Sequence, residues 1–248
     1  MAGTNSTNGR TSLVEEDPDL LKGLDQAAVD SIRRVAVDVM HVDPGPWTRA
    51  SEPPRPIYGL FVLDGVLSRG VVIQGRRSAE LLGPGDILRP AASDELDSSV
   101  DFEVAWDVLE PTRMALLDRD FASAVAPYPE LTGAVMDRIM RRAHALAFHL
   151  AVSHLKLVEM RLLVILWYYA DRWGRVTPGG VLLPLRMTHS LLARIVGARR
   201  PSVSTALGRL QDRGLVERTE NGQWLLLGSP PRELEELAEG IIPDGSSN

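Results

Sequence analysis

Apolar residues in this chain recur with one period before Pro127-Tyr128-Pro129 and with another after it. Upstream, Val100, Phe102, Val104, Trp106 and Val108 alternate with Asp101, Glu103, Ala105 and Asp107, the period of two that sends successive side chains to opposite faces of a strand. Ile57 to Leu63 and Val66 to Ile73 read as two more strands around Asp64-Gly65, a strong tight-hairpin signal. Gln74-Gly75 and Gly83-Pro84-Gly85-Asp86 bracket the short run Ser78 to Leu82. Short strands with a turn about every eight to ten residues argue for an antiparallel β-roll or barrel and against a parallel sheet. Ahead of them, Pro18 or Asp25 to Val39 reads as a helix with Leu20, Leu21, Leu24, Ala28, Ile32 and Val35 on one side. Residues 1–17 mix Gly, Ser, Thr, Asn and acids without periodicity and read as a disordered leader. The prolines of Asp43-Pro44-Gly45-Pro46 and Pro53-Pro54-Arg55-Pro56 confine those stretches to loop or strand edge.

Downstream, Val135, Ile139, Ala143, Leu146 and Leu150 follow at steps of four, four, three and four, the spacing of one amphipathic helix. From Glu130 to Ser153 it would be about 36 Å long. A seam of that length suits a contact between two copies of the chain, the alternative being that it packs only on its own roll. A second helix, about His154 to Trp173, is apolar almost all round and is expected in the core of the next domain. The divisions are then 1–17 leader, 18–127 roll, 128–153 long helix, 154–228 helical domain and 229–248 acidic tail.

The segment with the sharpest local chemistry begins at Thr188. Threonine caps a helix N-terminus, apolar residues line one side of His189 to Val196, and Gly197 can take the left-handed conformation that stops the helix. After Ala198-Arg199-Arg200, Pro201 is tolerated in the first turn of a second helix, where its missing N–H has no intrahelical partner anyway. Val203, Leu207 and Leu210 face inward, which leaves Ser202, Thr205 and Arg209 outward, with Arg199, Arg200 and Ser204 at the exposed start. Gly214 to Arg218, Asn221-Gly222 and Trp224 to Leu227 then make a hairpin. Two helices joined by a short turn and followed by a two-stranded wing are a winged helix-turn-helix.

Composition narrows the chemistry. With 248 residues, 44% of them hydrophobic, the chain holds enough apolar material for one large domain or two ordinary ones. The absence of cysteine excludes disulfides, thiolate metal sites and cysteine nucleophiles. Its longest apolar stretches, such as Leu162 to Ala170, fall far short of a membrane span, and Met1 to Arg10 lacks the apolar core of a signal peptide, so a cytoplasmic protein without a membrane partner is expected. The net charge of −6 is unevenly spread: Arg186 to Arg218 carries seven arginines against Asp212 and Glu217. Positive charge concentrated in one segment fits a polyanion even on an acidic protein.

The order of roll, long helix and winged helix resembles the Crp/Fnr superfamily of bacterial transcription regulators, from about Asp19 to Gly228. Its specific part is Met187 to Trp224; the Gly83-Pro84-Gly85-Asp86-Ile87-Leu88 turn adds to it. The resemblance implies an α+β chain: an N-terminal antiparallel β-roll of the double-stranded β-helix type, similar to cyclic-nucleotide-binding domains, a dimerisation helix, and a C-terminal winged helix-turn-helix. It implies a homodimer on an inverted-repeat operator in double-stranded DNA, with RNA polymerase and a small-molecule effector as further partners. Val135, Ile139, Ala143, Leu146 and Leu150 would form the dimer interface. The recognition helix would read guanine edges through Arg200. The family often places a glutamate and a second arginine where this chain has Pro201 and Thr205, so a different operator is expected, with Thr205 against a thymine methyl and Arg209 on phosphate. Thr188, His189, Arg199 and Ser202 would stand near the backbone phosphates, where contacts position and specify little; Ser204 and Arg218 complete the expected DNA-contacting set. Arg194 and Arg213 read as solvated surface.

Members that bind cyclic nucleotides follow the Gly-Asp turn with a glutamate and an Arg-Ser-Ala run. Here Arg89-Pro90-Ala91-Ala92-Ser93-Asp94-Glu95 follows instead, and Asp94, Glu95 and Asp97 would repel a phosphate. Arg77-Ser78-Ala79 spells the tripeptide before the turn, on an expected strand. No cofactor is evident, and cyclic nucleotide is not expected. His144, His149 and His154, at steps of five, drift round a helix instead of sharing a face, and the roll holds no His-x-His, so neither a metal nor a catalytic site is expected. Two other classes stay open: a ligand-sensing or docking module whose winged helix meets a protein, separable by a DNA mobility-shift assay, and a β-roll enzyme, disfavoured by the missing nucleophile and metal ligands.

Overall fold

A computed structural model of the chain describes residues 5–47, 57–90, 100–228 and 230. The Pro53–Pro56 stretch, the acids Asp94, Glu95 and Asp97, and the tail apart from Pro230 lie outside the described residues. The chain divides into two compact units, Met1–Ala147 and Phe148–Asn248.

Among the described residues the first unit is built on two antiparallel sheets. One runs β1 (Asn5–Ser12), β2 (Ala36–Val42), β10 (Thr112–Leu117), β4 (Gly59–Asp64), β8 (Ile87–Leu88). The other runs β3 (Gly45–Trp47), β9 (Glu103–Val108), β5 (Leu67–Ile73), β6 (Arg76–Arg77), with β7 (Glu80–Leu82) also on β5. The period of two sorts side chains between two cores. Met114 and Leu116 of β10, Leu60 and Val62 of β4 and Leu88 of β8 join Trp47, Leu67, Leu82 and Trp106 in a core shared by both sheets. Ala115, Leu117, Phe61 and Ile87, one residue out of phase, turn to a layer of helices. A strand covered on both faces reads as an unbroken apolar run, as Leu60-Phe61-Val62-Leu63 does. In the inner core Trp47 and Trp106, directly opposite in register, meet edge to face at 5.9 Å.

Three sequence expectations are corrected here. The leader is ordered from Asn5: β1 pairs β2, with Arg10 bonded to the Ala36 carbonyl (2.7 Å) and to Asp38 (3.3 Å), and Leu13 and Val14 of the single-turn α1 (Leu13–Glu16) are buried. Backbone pairing to the β2 edge needs no apolar side chain, so composition could not signal it. The helix expected to reach Val39 ends earlier. A 3₁₀ turn at Pro18–Leu21 and α2 (Gln26–Ile32), capped by the Asp25 carboxylate on the Ala28 amide (2.8 Å), give way to β2, where Val37, Val39, Met40 and Val42 are buried and β-branching favours the pleat. Asp64-Gly65 does not close a hairpin, because β4 pairs β10 and β8 whereas β5 pairs β9, β7 and β6. It carries the chain from one sheet to the other, with Gly65 at φ 86° and its backbone against Pro111 and Thr112.

The Gly83-Pro84-Gly85-Asp86 turn closes on itself: buried Asp86 accepts from the Gly83 amide (2.9 Å) and donates its own amide to the Gly83 carbonyl (3.0 Å). Arg77 lies in strand β6, and Ser78, just past its end, donates its amide to the Val71 carbonyl (2.9 Å). After α3 (Arg119–Val125), α4 spans Pro129–Ser153. Its expected seam divides into two faces. Val135 is wholly buried and Ile139 partly so in the core under the roll, which removes Val135 from any interface between copies. Of the expected residues Ala143, Leu146 and Leu150 are exposed, and the exposed apolar residues Met136, Met140, Ala143, Ala147 and Leu150 follow at steps of four, three, four and three. Beside Met140, Arg142 reaches Glu80 of β7 with two bonds, 2.6 and 3.3 Å.

The second unit packs α5 (Val158–Trp173), α6 (His189–Val196) and α7 (Arg200–Asp212) beside a sheet ordered β11 (Arg175–Thr177), β12 (Gly180–Leu183), β14 (Trp224–Leu226), β13 (Val216–Arg218). The expected two-stranded wing is the β13–β14 hairpin, whose sheet β12 and β11 extend to four strands, and α5 starts at Val158 and not His154. The Asn221-Gly222 loop is longer than a two-residue turn: Thr219 and Gln223 bond across it through amide, carbonyl and hydroxyl.

Candidate nucleic-acid interface

Each end of the two-helix motif is fixed by the residue its sequence supplies. Thr188 accepts the Leu191 amide at 3.2 Å, capping α6, and Gly197 stops it at φ 64°, ψ 40°. Arg199 is the N-cap residue of α7, Arg200 its first helical residue, and Pro201 lies in its opening turn. Val203, Ala206, Leu207 and Leu210 are buried, at most 3% exposed. Arg199, Arg200, Pro201, Ser202, Thr205 and Arg209 are exposed and Ser204 is half-buried. One side of α7 is therefore spent on the core, and the other is polar and opens on two adjacent guanidiniums.

The other expected residues gather beside this face. His189, the first residue of α6, places Nδ1 2.8 Å from the Ser204 hydroxyl. Its ring stands 6.2 Å from that of Trp224, which is buried and donates its indole N–H to the Met187 carbonyl (3.2 Å). Arg218, on β13, holds its guanidinium 5.9 Å from the centre of the same indole. Burial, with the charges of Arg218 and Arg200 adding to it, holds the His189 imidazole below its ordinary pKa. Thr188 is exposed at the cap. Arg209 bonds Glu159 of α5 at 2.7 Å through one guanidinium nitrogen while its side chain stays 68% exposed. Arg213 is exposed as expected, while Arg194 is half-buried on α6.

Two contributors escaped sequence reasoning. Arg161 of α5 donates to the carbonyl of Leu155 (2.6 Å) and to those of Val196 (3.3 Å) and Gly197 (3.5 Å), placing a cation on the open carbonyl end of α6. Glu159 anchors Arg209 as above. Both are charges inside a helix that is otherwise apolar nearly all round, and a charge at such a position must meet a partner across the core. That was the available signal.

Residues 160–236 match the family described as the Crp-like helix-turn-helix domain. No curated protein matches the chain by sequence. Among solved structures, the chain is similar to a CooA mutant from Carboxydothermus hydrogenoformans at 16% identity and TM-score 0.57, covering 94% of this chain and 98% of that one. It is likewise similar to FixK2 from Bradyrhizobium japonicum at 16% identity and TM-score 0.57, covering 86% and 100%. The c-di-GMP responsive global regulator CLP of Xanthomonas campestris matches at 18% identity and TM-score 0.56, covering 83% and 100%. At such identities the likeness is one of fold. Residues 160–236 thus match the Crp-like helix-turn-helix domain, and the chain as a whole shares its fold with these solved structures.

Proposed function

We propose that the chain is a homodimeric, sequence-specific regulator of transcription that inserts α7 into the major groove of an inverted-repeat operator. The observation that carries this is the division of α7 into a buried apolar side and an exposed side that starts with Arg199 and Arg200. Arg200, in the first turn, is placed to donate two bonds to O6 and N7 of a guanine, and Thr205, one turn on, to meet a thymine methyl. Thr188, His189, Arg199, Ser202 and Arg218 contact phosphates and fix the register. Arg209, on the same exposed side and steadied by Glu159, reaches a phosphate with the rest of its guanidinium.

The pairing surface of this reading is the α4 stripe Met136, Met140, Ala143, Ala147 and Leu150, whose mean step of 3.5 residues is that of a two-stranded coiled coil. Two-fold symmetry then sets half-site centres about 34 Å apart, one duplex turn. The roll transmits or senses without a cyclic nucleotide: the Ser78 amide that would cradle a phosphate is bonded to Val71. RNA polymerase is the further protein partner of such a regulator.

Selection of bound duplexes from a random pool, followed by titration of the recovered site, tests the reading. Arg200→Ala should weaken binding by about 1–3 kcal/mol and relax preference at one base pair per half-site. Equal selectivity at every operator base would refute the role of Arg200, and absence of any discrete complex at moderate salt would refute the reading itself.

A further inference from the structure

His189 stands inside the proposed DNA face, and imidazole is the side chain whose unperturbed charge change lies nearest physiological pH. Its neighbours come from three elements: Ser204 and Arg200 from α7, Arg218 from β13 and the Trp224 ring from β14. Burial first, and then the charges of Arg218 and Arg200, make the free protein favour the neutral imidazole. We infer that operator binding takes up one proton at His189 per half-site, making the affinity for duplex DNA rise as pH falls. The inference rests on the reading of α7 as the helix that enters the groove.

The hydrogen bond to Ser204 gives the mechanism, and it works from either tautomer. With the proton on Nε2, Nδ1 accepts from the Ser204 hydroxyl. Taking a second proton from solvent turns Nδ1 into a donor, makes Ser204 Oγ the acceptor and frees its hydroxyl hydrogen for another acceptor. With the proton on Nδ1, that nitrogen already donates to Ser204, and protonation converts the lone pair on Nε2 into a donor. Each route adds one positive charge and one donor beside a helix N-terminus, where phosphate oxygens need donors and cannot tolerate another lone pair. Phosphates arriving at the face also offset the fields of Arg200 and Arg218, the very charges that disfavour the imidazolium beforehand. The pKa of His189 therefore rises on binding.

The direction of the pH effect follows. Between the depressed value of the free protein and the raised value of the complex, the complex holds a proton that the free protein lacks. Across that window affinity falls by up to about tenfold per pH unit for each half-site, or about a hundredfold for a dimer on both. Below and above the window it is flat.

The test is fluorescence anisotropy of a labelled duplex selected by the chain itself, at constant ionic strength, from about pH 5.5 to about pH 8.5. Calorimetry in two buffers of different ionisation enthalpy counts the protons taken up. The unmodified protein should show the slope and net uptake. His189→Gln keeps a hydrogen-bonding side chain but cannot titrate, and should bind weakly with no slope from this site. His189→Arg carries a permanent charge and should bind at every pH near the affinity the unmodified protein reaches in acid. A slope that survives in His189→Gln, or calorimetry showing no proton uptake by the unmodified protein, overturns the inference while leaving DNA binding intact. Failure of every variant to form a complex at any pH would instead overturn the reading on which it rests.

Discussion

Replacing Glu80 by glutamine removes an anion that two guanidiniums share inside the first unit. The carboxylate holds Arg142 of α4 with bonds of 2.6 and 3.3 Å, and Arg69 of β5 approaches it at 3.5 Å while lying 5.9 Å from the Trp106 ring. The Glu80 side chain is 7% exposed, with Arg69 at 13% and Arg142 at 20%. Glutamine preserves volume and one acceptor but leaves two positive charges close together in a poorly solvated place. Deleting one partner of a buried pair costs about 3–5 kcal/mol; because Arg142 retains some water, the lower end, about 3 kcal/mol, is expected. For a unit of this size that lowers the midpoint of thermal unfolding by about 6–12 °C. Differential scanning calorimetry of the full chain measures it, with Arg142→Gln and the double variant completing a cycle. The two single losses should not add, since either removes the same pair. Moderate salt should change the result little, because a pair this buried is weakly screened. A loss under about 1 kcal/mol, the range of exposed ion pairs, or strict additivity of the two changes, would show that Glu80 does not join α4 to the roll in the way argued.

Two further substitutions address other elements. Met140→Glu puts a charge in the centre of the exposed α4 stripe and should convert a dimer to monomers in sedimentation equilibrium while circular dichroism shows the fold retained, with an unfolding midpoint that no longer depends on protein concentration; an unchanged mass would place the pairing surface elsewhere. Gly65→Ala adds a Cβ that meets the Pro111 carbonyl and sits 2.5 Å from the Thr112 hydroxyl, at φ 86°. It should destabilise the roll by at least about 1–3 kcal/mol in denaturant titration, and a neutral outcome would mean that the crossing between sheets is not tight.

What the sequence disclosed and what it withheld differ by the range of the forces involved. Thr188, Gly197 and Pro201 act on backbone within a few residues, so the ends of α6 and α7 could be placed from the residues alone, and so could the exposed side of α7. Asp64-Gly65 carries an equally local signal, but that signal fixes only a bend. Whether the strands on either side pair with each other depends on β10 and β9, which lie some forty residues on, and there the local reading failed. The α4 seam failed for a geometric reason. Each step of four residues turns about 40° beyond a full circle, so the path Val135, Ile139, Ala143 drifts about 80° and passes from a buried face to an exposed one. A helix with two apolar faces satisfies steps of three and four along either, and burial of Val135 against the roll tells them apart. Charges within the apolar α5 were the remaining clue. Glu159 and Arg161 bind a side chain on α7 and the carbonyl end of α6, 50 and 35 residues away in the chain. The polar face of α7 could thus be found by counting residues, whereas the contacts that fix that helix against α5 exist only once the chain is folded.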